Sequence, residues 1–142
     1  MIVGYTAGVY DMFHIGHLNV IKNAKQLCDK LIVAVSTDEL VQAYKNKTPV
    51  IPFAERRAIV EALRYVDEVV PQTSADVSGK IAAALEHNVD VMFVGDDWKG
   101  TDKWNKIEAD LNAVGVQVVY FPYTKGTSST LINETLHKLR GE

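Results

Sequence analysis

Cysteine is nearly absent: Cys28 stands alone among 142 residues, which excludes an internal disulfide and a thiolate zinc site. The N-terminus shows no basic stretch ahead of an apolar run, and with so little cysteine the expected setting is a reducing cytoplasm. No run approaches the roughly 18 apolar residues that a membrane span requires, so no membrane insertion is expected. Excess charge of one sign is also missing. Lys plus Arg number 15 and Asp plus Glu 18, a formal net charge of −3. That balance argues against nucleic acid or an anionic membrane as the main partner, yet it permits a small basic pocket for one phosphorylated ligand. What remains is an ordinary folding composition, 47% hydrophobic and 23% charged. Its length fits one domain spanning residues 1–142, with about two-thirds of the unfolded surface buried.

Short β-branched runs alternate with longer amphipathic ones. Residues 2–6, 31–36, 68–70, 91–94 and 116–121 predict strands. The second and fourth are almost continuously apolar, the pattern of parallel strands covered on both faces. Leu18, Ile21, Ala24 and Leu27 recur along a first helix. Ile59, Ala62 and Leu63 mark a second, Ile81, Ala84 and Leu85 a third, and Ile107 with Leu111 a fourth. A last helix is expected from Ser128 or Ser129 to Leu139, opened by hydroxyl caps. Residues 42–52 read as an exposed basic loop. This alternation implies an α/β fold, a three-layer, doubly wound, parallel five-stranded sheet with right-handed crossovers. Ligands of such sheets bind at the carboxyl ends of the strands, where the strand order reverses. Residues 7–17, 37–47, 95–104 and 122–130 therefore hold the candidates.

His14 and His17 lie where the first strand turns into a helix, separated by Ile15-Gly16. Unpaired N–H groups and the helix dipole favour an anion there; imidazoles add donors, and Gly16 lets a phosphate approach the backbone. Zinc fits less well, because metalloprotease helices space their histidines four apart around a Glu and these are three apart without one. The segment Tyr123-Thr124-Lys125-Gly126-Thr127-Ser128-Ser129-Thr130 gathers a glycine and hydroxyls at a helix start, suited to a polyphosphate tail or to plain capping. Gly95-Asp96-Asp97-Trp98 offers carboxylates for magnesium, a sugar, a base or a cap, and an indole for stacking or shielding. Among the basic residues, Lys45 and Lys47 stand nearest the expected phosphate site. His87 and His137 read as surface residues.

Together, His14-Ile15-Gly16-His17, Lys45-Asn46-Lys47, Arg64-Tyr65-Val66-Asp67-Glu68-Val69, Gly95-Asp96-Asp97-Trp98 and the Thr124-to-Thr130 motif resemble the cytidylyltransferases of the H-x-G-H nucleotidyltransferase superfamily. The resemblance covers nearly the whole chain. It implies a Rossmann-like sheet of the nucleotidyltransferase type, CTP as donor, Mg2+ as cofactor and a homodimer. The implied acceptor is a small phosphorylated alcohol, with glycerol 3-phosphate foremost. It also implies roles. His14 and His17 would hold the phosphates and stabilise the transition state, with Lys45 and Lys47 neutralising charge. Ala7, Gly8, Val9, Asp11, Gly16, Asp97, Thr124, Gly126, Thr127, Ser128 and Ser129 would bind the nucleotide. Arg56, Arg64 and Trp98 would lie at the acceptor, and no residue is assigned as a metal ligand. Three positions depart from the family pattern: Val9 and Tyr123 replace a hydroxyl residue and an Arg, and Lys125 replaces a Glu.

The chemistry so implied is attack of a phosphomonoester oxygen on the α-phosphorus of a nucleoside triphosphate, expelling pyrophosphate. A phosphomonoester has its second pKa near about 6, so the nucleophile is already mostly ionised at neutral pH and no general base is required. Orientation and preorganised donors supply the help such a reaction needs. The alternatives are phosphoethanolamine or phosphocholine as acceptor, an adenylyltransferase of the same superfamily, and a non-catalytic nucleotide-binding regulatory module.

Overall fold

The computed structural model describes residues 1–95 and 99–122. Asp97, Trp98, Thr124, Gly126, Thr127, Ser128 and Ser129, and the expected last helix, lie outside them. In chain order the elements are β1 (Val3–Gly8), α1 (Ile15–Gln26), β2 (Lys30–Ser36), α2 (Asp38–Lys45), α3 (Phe53–Glu61), β3 (Glu68–Gln72), α4 (Val77–Glu86), β4 (Val91–Gly95), α5 (Asp102–Ala113) and β5 (Gln117–Phe121). All four strand pairings are parallel, in the order β3-β2-β1-β4-β5. The expected α/β sheet is present, and its order reverses between β1 and β4.

Two expectations are corrected. The expected loop at residues 42–52 begins inside a helix, because Thr37 caps α2 by accepting from the Leu40 N–H at 3.2 Å. Asp38 and Glu39 then favour the positive end of the helix dipole. Only eight residues long, with Leu40, Val41 and Tyr44 as its apolar side and Val41 alone buried, α2 is too short to announce a helix in sequence. Strand β3 also runs two residues past its apolar core, through Pro71. A proline gives no ladder N–H, and it is tolerated here because β3 is the sheet edge.

Strand β2 explains why the sheet has two cores. Ile32 and Ala34 face one way, packing with Ala84 of α4 and with Trp104, Ile107 and Leu111 of α5. Leu31, Val33 and Val35 face the other, against Ile21 and Ala24 of α1 and Val60 of α3. Every residue of that run is fully buried, as expected when helices cover both faces.

The amino edge is registered by aspartates. Asp29, Asp90 and Asp67 accept the backbone N–H groups of Ile2 at 2.6 Å, Val3 at 2.8 Å and Leu31 at 2.8 Å. Asp67 also takes Lys25 Nζ at 2.7 Å. Burial raises its pKa, but the Lys25 and Leu31 bonds outweigh that and hold the carboxyl below its usual value. Each aspartate ties one strand to the chain entering its neighbour, which leaves the carboxyl edge free for loops. Truncating Leu111, fully buried between α5 and the sheet, to Ala should cost about 2–5 kcal/mol in urea unfolding with the m-value unchanged.

Candidate active site

The turn from β1 into α1 is built around its two histidines. His14 is the N-cap of α1, with extended backbone at φ −140°, and its Nδ1 accepts the Gly16 N–H at 3.0 Å. His17, three residues on, accepts the His14 N–H on its own Nδ1 at 3.2 Å. Two otherwise orphaned donors are thereby satisfied reciprocally, a capping box made of imidazoles. An Nδ1 that accepts a hydrogen bond carries no proton. Each neutral ring is therefore the Nε2–H tautomer, with its remaining donor directed away from the helix backbone. The rings stack with centroids 3.9 Å apart, so the two donors stand side by side at the positive end of the α1 dipole.

An apolar wall fixes this pair. The Tyr10 ring meets His17 edge-on at 5.5 Å, and Phe13 lies 5.3 Å from it. Tyr10 is buried, its hydroxyl is hydrogen-bonded to Thr6, and Thr6 Oγ1 donates to the Phe93 carbonyl at 3.0 Å. The aromatic shelf is thus anchored on β1 and β4, the two strands flanking the switch point. An added Cβ on Gly8 would stand 2.9 Å from the Tyr10 ring, so this glycine makes room for the tyrosine. Burial, then the charge of His14, pushes the His17 pKa down to about 4, and burial also lowers His14. Both imidazoles are neutral donors at pH 7.

Lys45 ends α2 and Lys47 follows Asn46, whose left-handed backbone (φ 52°) reverses the chain. Lys45 Nζ sits over the Tyr44 ring at 5.5 Å. Partial burial and then the Lys47 charge lower its pKa. The carboxylate of Asp11 accepts the N–H groups of Val50 and Ile51, both at 2.8 Å. The lysine-bearing loop is therefore tied to the histidine crossover, and residues distant in sequence share the carboxyl edge.

Other expected site residues take different places. Arg56, expected at the acceptor, is only 1% exposed. It donates to the carbonyls of Ile51, Val9 and Ser36 and to Asp38. Those bonds use the Nε proton, both Nη1 protons and one on Nη2, so the guanidinium is a structural tie. The Val9 carbonyl is engaged by the same group. Arg64, also expected at the acceptor, is exposed and donates to the Tyr65 hydroxyl at 3.0 Å. It precedes β3 and so lies at the amino edge of the parallel sheet, opposite the histidines within this chain. Ala7 is exposed and Gly16 half-buried at the carboxyl edge of β1 and the start of α1. Phe13, Tyr44 and Asp38 were not anticipated as parts of the site. An aromatic residue immediately ahead of the histidine motif was the one signal that could have pointed to Phe13.

A family model described as Cytidylyltransferase-like matches residues 5–135. The chain belongs to the cytidylyltransferase-like family. This family member is 39% identical to glycerol-3-phosphate cytidylyltransferase of Bacillus subtilis (strain 168), over 92% of its own length and 94% of that protein. It is 33% identical to FAD synthase of Thermococcus kodakarensis, over 82% and 76% of the two chains. Among solved structures, the lipopolysaccharide core biosynthesis protein of Thermoplasma volcanium GSS1 superposes with a TM-score of 0.71 at 26% identity, covering 89% of this chain and 99% of that one. For the histidine pair of this cytidylyltransferase-like chain, nitrogen-detected NMR should find both rings as Nε2–H tautomers at pH 7, with His17 titrating near pH 4. Because folding depresses these pKa values from about 6.5, their contribution to stability is complete above about pH 6.5. It declines as the pH falls towards 4, a slope that should shrink in His17→Gln during urea unfolding across that window.

Proposed function

We propose that the chain joins CTP to glycerol 3-phosphate, giving CDP-glycerol and pyrophosphate. One observation carries this reading: two stacked imidazoles, each with Nδ1 committed to backbone, present paired Nε2–H donors beside a lysine-bearing loop. Such a site holds phosphate and does not abstract protons. That matches a nucleophile already ionised at neutral pH. The relatives named glycerol-3-phosphate cytidylyltransferase, aligned over more than nine-tenths of both chains, support the choice of donor and acceptor.

In this mechanism His14 and His17 donate to the triphosphate as charge builds on the transferring phosphoryl group. Neutral donors that are already aimed need no reorganisation at that moment. Lys45 and Lys47 offset repulsion between the incoming phosphomonoester and the triphosphate. Two cations on a loop tied to the histidine crossover would also steer both anions inward. Ala7, Gly8, Val9 and Gly16 line the approach to the backbone. The proposal assigns nucleotide binding also to Asp97, Thr124, Gly126, Thr127, Ser128 and Ser129, and recognition of the acceptor to Trp98.

Mg2+ accompanies this proposal as the expected divalent cation. Among the described residues no group of three or more His, Cys, Asp or Glu side chains could hold a metal ion, and both Asp11 oxygens accept backbone N–H groups. These residues make no resident cage. A Mg2+ ion is instead commonly carried on substrate phosphates with one or two carboxylates. The cytoplasmic setting and the homodimer form the rest of the proposal.

An adenylyl donor is the second reading, favoured by the FAD synthase relatives at 33% and 34% identity. A pyrophosphate-release screen of four triphosphates against a panel of phosphomonoesters separates the two, and CTP with glycerol 3-phosphate is expected to give the highest turnover. Release only with ATP would transfer the case to the second reading. His14→Ala and His17→Ala should each lower kcat by about 10²–10³ with the fold intact; near-normal turnover in either would refute the mechanism. Lys45→Ala and Lys47→Ala should chiefly raise KM for both substrates.

A further inference from the structure

The hydrogen bonds of Asp11 and Arg56 converge on one residue of the lysine-bearing loop. Ile51 gives its N–H to Asp11 Oδ1 at 2.8 Å, and its carbonyl accepts Arg56 Nε at 2.8 Å. The other Asp11 oxygen holds Val50 at 2.8 Å. Arg56 Nη1 reaches the carbonyls of Val9 and Ser36, each at 2.7 Å. Its Nη2 meets Asp38 Oδ1 at 2.6 Å, and Asp38 Oδ2 accepts from the Phe53 N–H at 3.3 Å. One buried guanidinium therefore spans the β1–α1 crossover, the end of β2, the start of α2 and the loop.

Asp11 itself stands between Tyr10 and Met12, whose φ angles are 55° and 49°. Non-glycine residues keep such angles only where their surroundings over-determine them. The double reversal around Asp11 is held while its carboxylate grips the loop backbone. In sequence, Asp11 lies three positions before His14, and Val50 three positions after Lys47. A bond between these two points leaves little slack between the imidazole donors and the cationic side chains.

We propose that Asp11 and Arg56 are positioning residues that clamp residues 50–51 to the β1–α1 crossover and so set the spacing of Lys47 from His14 and His17. The catalytic consequence rests on the transfer reaction proposed above, while the clamp stands without it. A phosphoryl-transfer site that works by orientation is sensitive to such spacing, since a displacement of about 1 Å can cost on the order of 10²-fold in rate.

Asp11→Asn keeps the size of the side chain but sets an NH2 group against one of the two backbone N–H groups. Arg56→Lys keeps a positive charge and loses the fork. Amide exchange at Val50 and Ile51 should accelerate at least about tenfold in Asp11→Asn, with Val33 in the sheet exchanging as in the wild type. Asp11→Asn should lower kcat/KM about 10- to 100-fold in the wild-type background. In a Lys47→Ala background the loss should be under about threefold, because the cation whose placement it sets is gone. Equal losses in both backgrounds would overturn the positioning role, and unchanged exchange at residues 50–51 would overturn the clamp. If Asp11→Asn does not fold, Arg56→Lys supplies both readouts with the same expectations. A wild-type chain releasing no pyrophosphate from any donor and acceptor would remove the transfer reading, and the exchange measurement would still decide the clamp.

Discussion

Two backbone N–H groups at the start of α1, those of His14 and Gly16, end on imidazole nitrogens, and the chemistry of the site follows from that pairing. Most helices cap these groups with a hydroxyl or a carboxylate. A carboxylate cap would bring negative charge to the place where a phosphate is to bind, and a hydroxyl would add one short donor. Imidazole does the capping with one nitrogen and leaves the opposite edge of the ring as a donor. The stacked pair is neutral because burial disfavours the imidazolium. A protonated Nδ1 would have no lone pair for the backbone, so neutrality and capping depend on each other.

The remainder of the domain keeps that turn in place. Thr6 and Tyr10 brace His17 from the sheet, through a hydroxyl bond that ends on the β4 carbonyl of Phe93. Arg56 is buried with its charge matched by Asp38 and by three carbonyls. An isolated buried charge would be costly, whereas one with this many acceptors can join segments that no apolar contact would orient. The two edges of the sheet divide the labour. Aspartates Asp29, Asp67 and Asp90 register strands at the amino edge, while irregular backbone at the carboxyl edge carries the imidazoles and lysines.

The sheet was largely legible in the sequence. The five strands appear within two residues of their apolar runs, and β2 reads most clearly because a strand buried on both faces must be apolar almost throughout. The first histidine motif was legible for a related reason, since a strand end followed by a helix start fixes where such residues lie in a doubly wound fold. Arg56 and Arg64 were not. Charge and motif membership suggested contact with a phosphate for both. Burial makes Arg56 a tie among carbonyls and Asp38, and the direction of the parallel strands sets Arg64 at the amino edge of this chain. Helix α2 escaped because, at eight residues, its apolar positions Leu40, Val41 and Tyr44 make too short a run to read, and its start is set by the Thr37 cap.

By itself, the sequence determined the alternation of elements, the all-parallel sheet and the placing of His14 and His17 at a helix start, because periodicity and capping act over a few residues. Tertiary structure alone decided which arginine becomes a tie. It also decided how the lysine loop meets the first crossover. Those outcomes depend on contacts such as Asp11 with Val50 and Ile51, or Arg56 with Val9, whose partners lie about forty residues apart. No local propensity encodes a hydrogen bond across that separation, and it exists only once the sheet has brought the two loops to one edge.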